Sequence, residues 1–238
     1  MDGTKKMKKI EEDIIYSAKI AHSLGLFGKR FLVTGATGMI GQNLVVVLSK
    51  ITNEKNIVVL GKDLQEPKEV FLNRSFVYSS FDDLDKIVGD VDYIIHLASP
   101  TNSKFMAEQP VETIDFIYNS TKTILDFALK HKSKVLYVSS MEVFGEVLDE
   151  KKRNEEELGY ISLTSTRSSY SESKRLCELL CLSYSKEYKL KVCSARLAQT
   201  FGAGTPLNDS RIFGYISRCV KNKEDIILKT KGKKINKG

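Results

Sequence analysis

Runs of β-branched and aromatic residues at Phe31–Thr34, Asn56–Leu60, Val91–Leu97, Lys134–Ser139 and Lys191–Arg196 punctuate the chain. Between them, apolar residues recur at helical spacing, as in Gln42–Leu48, Val111–Lys130 and Tyr170–Tyr188. Strands that alternate with helices in this way predict an α/β protein whose parallel sheet is covered on both faces. Residues 1–25 read as an amphipathic helical prelude, with Ile10, Ile14, Ile15, Ala18 and Ala21 on one face, packed against the sheet edge. Repeats and low-complexity tracts are absent from the sequence.

The junction after the first strand carries the most information. Phe31-Leu32-Val33 runs into Thr34-Gly35-Ala36-Thr37-Gly38-Met39-Ile40-Gly41, and the chain then continues as the helical stretch Gln42–Leu48. Strand, glycine turn and helix N-terminus leave free backbone N–H groups facing an anion. Gly35 is expected to make the tight turn, Gly38 to let the backbone approach a pyrophosphate, and Gly41 to let helix and strand pack closely. The cofactor contacts fall on Gly35, Thr37, Gly38, Met39, Ile40 and Gly41, in a Rossmann-type doubly wound sheet. The spacing is G-x-x-G-x-x-G; an ordinary glycine turn is the plainer alternative.

Two further stretches bring proton-transfer groups. Ser139-Ser140-Met141-Glu142-Val143-Phe144-Gly145 follows a buried-looking strand, and open α/β sheets bind ligands at the C-terminal ends of their strands. Tyr170-Ser171-Glu172-Ser173-Lys174 places a phenol and an ammonium one helical turn apart. A Tyr-x-x-x-Lys pair is weak by itself, since about one is expected by chance. Tyr118–Lys122 is a second instance, and only Tyr170–Lys174 lies downstream of the serine-rich segment. Tyr118 and Lys122 read better as a partly solvated helix face.

Together these stretches resemble the extended short-chain dehydrogenase/reductases, the nucleotide-sugar epimerases, dehydratases and decarboxylases, from about Leu26 onward. His96-Leu97-Ala98-Ser99 is similar to the family's further cofactor loop, so Leu97, Ala98 and Ser99 join the cofactor set, and Asn119 falls where the family places a structural asparagine. Pro110-Val111-Glu112-Thr113-Ile114, Arg167-Ser168-Ser169-Tyr170 leading to Lys174-Arg175, and Asn208-Asp209-Ser210-Arg211 resemble the UDP-glucuronate decarboxylases and capsule-type epimerases most. Met141 stands where such decarboxylases carry a serine and dehydratases an aspartate, while Glu142 is kept. Gln199 and Ala203 replace an asparagine and a proline, and Lys122 a glycine. The resemblance implies a helical extension at 1–25, an NAD(P)-binding Rossmann domain at 26–200, and the start of a substrate lobe at 201–238 that is cut short, with no arginine near Asn236 for the sugar-nucleotide diphosphate.

Composition narrows the setting. At 238 residues and 42% apolar the chain can bury one sizeable core and part of a second. Its net charge of +7 comes largely from lysines near residues 5–9 and 229–237, so solvated ends are a better reading than a nucleic-acid face. Lys5, Lys6, Lys8 and Lys9 lead into Glu11-Glu12-Asp13 and not into an apolar signal segment, and no run approaches membrane-spanning length. Cys177, Cys181, Cys193 and Cys219 lack metal-ligand pairing with the histidines at 22, 96 and 131. A reducing cytoplasm, no metal, no nucleic acid and no membrane partner are the expectations.

What the resemblance implies for chemistry is a transient C4 oxidation of an NDP-sugar. Tyr170 is the proton-transfer group, Lys174 and the nicotinamide charge lower its pKa, Ser140 steadies the same oxygen, and Glu142 handles a second proton. Gln199 and Arg211 are the candidate substrate contacts, Arg211 meeting the diphosphate bidentately. Met141 cannot hydrogen-bond a carboxylate strongly, which favours an epimerase or dehydratase over a decarboxylase. A non-catalytic dinucleotide-binding module and a plain NADPH-dependent reductase are the rivals. For the cofactor, Gly61 stands where an acid would hold the ribose 2′-hydroxyl, Lys62 can meet a 2′-phosphate, and Asp63 is displaced; NAD is favoured, with NADP open. The apolar residues of 111–130 and 170–188 exceed one core-facing stripe, and the resemblance implies a homodimer through both helices.

Overall fold

A computed structural model describes residues 3–61, 76–146, 153–202, 205, 209 and 211–228. Among these, strands β1 (Phe31–Thr34), β2 (Ile57–Leu60), β3 (Val77–Ser79), β4 (Tyr93–His96), β5 (Lys134–Ser140) and β6 (Val192–Leu197) form one sheet in the order 3-2-1-4-5-6. Every pairing is parallel. The described α-helices are α1 (Gly3–Ser23), α2 (Met39–Leu48), α3 (Ser103–Glu108), α4 (Pro110–His131), α5 (Ser168–Tyr188) and α6 (Ile212–Asn222).

The apolar runs form strands because both faces of the central sheet are covered, so no residue of β1 or β2 reaches water. Successive side chains point to opposite faces. Leu32, Val58, Leu60 and Ile94 meet Ile117, Ile124 and Leu125 of α4 and Cys177 and Cys181 of α5. Phe31, Val33, Ile57 and Val59 face Val45 and Leu48 of α2 and Ala18 of α1. Burying each of these branched side chains is worth roughly 1.5–3 kcal/mol.

Some boundaries differ from the sequence expectation. β4 is shorter than Val91–Leu97, because the Asp92 carboxylate accepts from the Arg30 N–H at 2.8 Å and so caps the entry to β1. Asn56 lies in a one-turn 3₁₀ helix before β2. β3 has no counterpart in the sequence reading; it is three residues long and lies at the sheet's edge. Helix α1 packs on α2, with Ala18 in the layer between helix and sheet, rather than on the sheet edge.

Candidate active site

The strand order reverses between β1 and β4, and the crevice outside that reversal is where doubly wound sheets take their ligands. Three segments leave the sheet beside it: the glycine turn after β1, Leu97–Ser99 after β4, and Ser140 with its following 3₁₀ turn (Met141–Phe144) after β5.

In the first segment, geometry explains the glycines. Gly35 has φ +65°, and a Cβ on it would stand 2.9 Å from the Ala98 nitrogen. A Cβ on Gly41 would stand 2.3 Å from the Gly35 oxygen and 2.7 Å from Ala36 Cα, so this position holds α2 against the turn. Gly38 is more open, its nearest atom being the Gly35 oxygen at 3.2 Å. Gly38 caps α2 with no side-chain hydrogen bond, which leaves the first-turn N–H groups of Met39, Ile40 and Gly41 directed outward. Gln42 Nε2 reaches back to the Thr37 carbonyl at 2.8 Å and steadies the turn. Thr37 also explains the missing acid at the end of β2. A Cβ on Gly61 would meet the Thr37 side chain at 2.8 Å, so Thr37 fills the space that an acidic side chain would use. Lys62 lies outside the described residues.

The second segment is tied to the first through a buried histidine. Leu97 N and Ala98 N donate to Thr34 Oγ1 at 3.1 and 3.0 Å, and Thr34 Oγ1 lies 2.7 Å from His96 Nδ1. On the other side, His96 Nε2 lies 3.2 Å from Thr121 Oγ1, which itself donates to the Ile117 carbonyl. With its proton committed, Thr121 accepts, so Nε2 carries the imidazole proton and Nδ1 accepts from Thr34. Burial, helped by the Lys174 charge, pushes the His96 pKa down to about 3, so the ring is neutral. This chain of bonds fixes Leu97–Ser99 against the glycine turn. The sequence reading quoted His96 only as part of a motif and did not single out Thr34 or Thr121.

The third segment meets α5. Ser140 Oγ accepts from Glu142 N at 3.2 Å, and the hydroxyls of Ser140 and Ser99 lie beside the half-buried Tyr170 phenol. Lys174 is buried, and burial lowers its pKa to about 8. Its Nζ donates to the Val138 carbonyl at 2.8 Å and lies 4.8 Å from the Tyr137 ring centroid and 5.9 Å from that of Tyr170. The expected acidification of Tyr170 is not supplied by these protein groups. Burial dominates and raises the phenol's pKa, with Glu142 adding to the rise and Ser140, Arg167 and Ser99 opposing it.

Glu142 is not a free base either. Arg167 Nη2 donates to its Oε1 at 2.8 Å and Ser171 Oγ to its Oε2 at 3.1 Å. Neither partner was anticipated, although Arg167 sits in a quoted motif three residues before Tyr170. Arg175 closes the same turn by donating to Val143 and Gly159 carbonyls at 2.7 Å each.

The substrate candidates lie apart from these groups in bonding. Gln199 is exposed beyond β6. Arg211 is gripped by Asp209, its Nε at 3.0 and 2.9 Å from the two carboxylate oxygens, and Nη1 reaches the Thr200 carbonyl at 3.3 Å. Its fork is therefore already engaged by a carboxylate. Asn119 is exposed and donates to Asp115 at 2.7 Å. Thr205 Oγ1 touches Met39 Sδ at 3.1 Å, the one described contact from the C-terminal segment to the glycine turn's helix start.

The sequence profile of the NAD dependent epimerase/dehydratase family matches residues 31–235. The chain belongs to this family. Its curated relatives include UDP-glucuronic acid decarboxylase 6 of Arabidopsis thaliana, 30% identical over 77% of this chain and 54% of that protein. UDP-glucuronic acid decarboxylase 1 of Danio rerio is 28% identical over 77% of this chain and 44% of that protein. The chain thus spans about half the length of these relatives. Among solved structures, the UDP-N-acetylglucosamine 4-epimerase of Methanobrevibacter ruminantium is similar in fold at a TM-score of 0.72 and 22% identity, over 85% of this chain and 66% of that one. A dTDP-glucose 4,6-dehydratase of Streptomyces venezuelae gives 0.66 and 22%, over 81% and 62%.

The family's cofactor is NAD, and the site fits it on structural grounds. Glycine at 35 and 41 keeps the turn tight, since a Cβ at either would run into backbone of the turn or of Leu97–Ala98, while Gly38 between them is more open. Among the described residues the buried Ser99 Oγ, Ser139 Oγ and Arg167 Nη1 have no hydrogen-bond partner, and Ser99 lies beside the Tyr170 phenol in the same site. Among the described residues, no group of three His, Cys, Asp or Glu is placed to hold a metal, and no helix is long and apolar enough to cross a membrane.

Proposed function

We propose that this protein is a nucleotide-sugar epimerase or dehydratase that oxidises its substrate transiently at C4 and is redox-neutral overall. The observation that carries the reading is the meeting of Ser140, Tyr170 and Lys174 beside a glycine turn at the strand-order reversal. NAD bound along that turn supplies the hydride acceptor. Tyr170 takes the proton of the sugar hydroxyl at its phenol oxygen, and Ser140 hydrogen-bonds the same sugar oxygen as it becomes a carbonyl. Lys174, anchored on Val138, holds a positive charge under the Tyr137 and Tyr170 rings. A ketone at C4 acidifies the neighbouring C–H, and Glu142, whose carboxylate is held by Arg167 and Ser171, is our candidate to receive that proton. Gln199 is one candidate substrate contact; Arg211, the other, meets a phosphate only by giving up Asp209.

A second reading, UDP-glucuronate decarboxylase, is favoured by the curated relatives. Against it stands Met141, whose thioether is a poor partner for a carboxylate. Incubation with NAD and a panel of UDP-, CDP-, GDP- and dTDP-sugars separates the two. An altered sugar without gas release supports the epimerase or dehydratase; stoichiometric carbon dioxide from UDP-glucuronate replaces it with the decarboxylase. A homodimer through α4 and α5 and a cytoplasmic setting belong to the same proposal.

A further inference from the structure

The cation that a Tyr-x-x-x-Lys arrangement offers its tyrosine is here turned partly away. Lys174 commits Nζ to the Val138 carbonyl, lies nearer the Tyr137 ring than the Tyr170 ring, and is buried enough to lose part of its hold on a proton. A second cation lies over the same ring at a similar distance. The Arg167 guanidinium carbon stands 5.5 Å from the Tyr170 ring centroid, its Nη2 is fixed by Glu142, and its buried Nη1 has no acceptor among the described residues. Glu142 is held in turn by Ser171 from the first turn of α5.

We propose that Arg167 and Glu142 form an opposed pair that sets the phenolate population of Tyr170, Arg167 as the activating cation and Glu142 as both its anchor and its brake. The pair spans two elements, the turn after β5 and the residue that leads into α5, so its geometry depends on the strand–helix packing and not on local sequence. Other groups near the phenol are the Ser140 hydroxyl after β5, the Ser99 hydroxyl after β4, Tyr137 on β5 and Lys174 on α5. The two hydroxyls are neutral, Tyr137 stays protonated because burial raises its pKa, and Lys174 is common to every variant proposed below. Burial makes the unaided phenol a poor base, and the arginine opposes this while the glutamate reinforces it. A cation over the ring stabilises a negative oxygen at its edge, and a fixed carboxylate nearby does the reverse.

This inference rests on the reading of Tyr170 as the proton-transfer group, yet its test needs no substrate and can fail while that reading stands. Protein carrying 13Cζ-labelled tyrosine is titrated by NMR, and the Tyr170 resonance is identified by its loss in Y170F. At about pH 10.5, R167Q is expected to lower the phenolate-to-phenol ratio of Tyr170 by about tenfold, one pH unit of midpoint. E142Q is expected to raise it by a similar factor, and R167K to recover part of the loss because it restores charge without the planar stack. Shifts in opposite directions support the pair. No shift in either variant, or shifts in the same direction, overturn it. Should R167Q fail to fold, E142Q decides: a raised ratio supports the proposal, and an unchanged or lowered one ends it.

Discussion

Replacing His96 by Asn isolates the bond chain that fixes the loop after β4. In the folded chain His96 holds its proton on Nε2 for Thr121 and accepts from Thr34, and burial drops its pKa to about 3. In the unfolded chain the ring titrates near the ordinary histidine value of 6.5. The folded pKa is the depressed one, so the unfolded state binds the extra proton. Stability is fully present above about pH 6.5 and is lost as pH falls toward 3. Each pH unit in that window costs about 1.4 kcal/mol, so between about pH 7 and about pH 4.5 this one ring removes on the order of 2–3 kcal/mol. At neutral pH, His96→Asn keeps an acceptor for Thr34 but strands Thr121 and leaves a gap, a loss of about 1–3 kcal/mol. Between about pH 7 and about pH 4.5, however, the variant should lose on the order of 2–3 kcal/mol less than the wild type, because the other titrating groups cancel in the comparison. Urea unfolding of both proteins at both pH values measures this difference. Equal acid losses in the two proteins, or a His96 ring that titrates near 6.5 in the folded state, refute the neutral, fully bonded histidine.

Two further expectations follow from the same coordinates. Calorimetric titration should show NAD bound at least as tightly as NADP, since the family is NAD dependent; tenfold tighter NADP, a difference of about 1.4 kcal/mol, contradicts this and points to Lys62 as the cation for a 2′-phosphate. Light scattering at micromolar concentration should show a dimer, because Ile114, Leu129, Leu176, Leu179 and Leu182 remain exposed on α4 and α5 after the core has taken Ile117, Ile124 and Leu125; a monomer at that concentration removes the helix-pair interface.

The parts of the fold legible in the sequence are those whose signal is local. β1 and β2 are short runs with every residue buried because both sheet faces are covered, β5 keeps an apolar centre in Val135–Val138, and the long helices announce themselves by apolar spacing over many turns. β3 was not legible: three residues at an edge carry too little pattern, whatever the neighbouring strand requires. In the site, the glycines were legible because close backbone approach leaves no other residue type. The state of the acid–base groups was not. Tyr170 is tuned by its burial and by Glu142, whose own partner Arg167 lies 25 residues further along the chain. Arg211 reads as a free fork in sequence, whereas Asp209, two residues away, already fills it. Spacing placed the groups near one another, and only packing decided which of them are spent on each other.

The central claim, that Tyr170 moves a proton while a nucleotide sugar is oxidised and reduced again in one site, is tested most directly by turnover of wild type and Tyr170→Phe side by side. Both proteins are incubated with NAD and the nucleotide-sugar panel, with mass spectrometry following the sugar and absorbance following NADH. The account predicts a modified sugar from the wild type without net NADH, and at least a hundredfold slower conversion by a variant that still folds and binds NAD. Undiminished conversion by Tyr170→Phe, or NADH accumulating mole for mole with product, would contradict it.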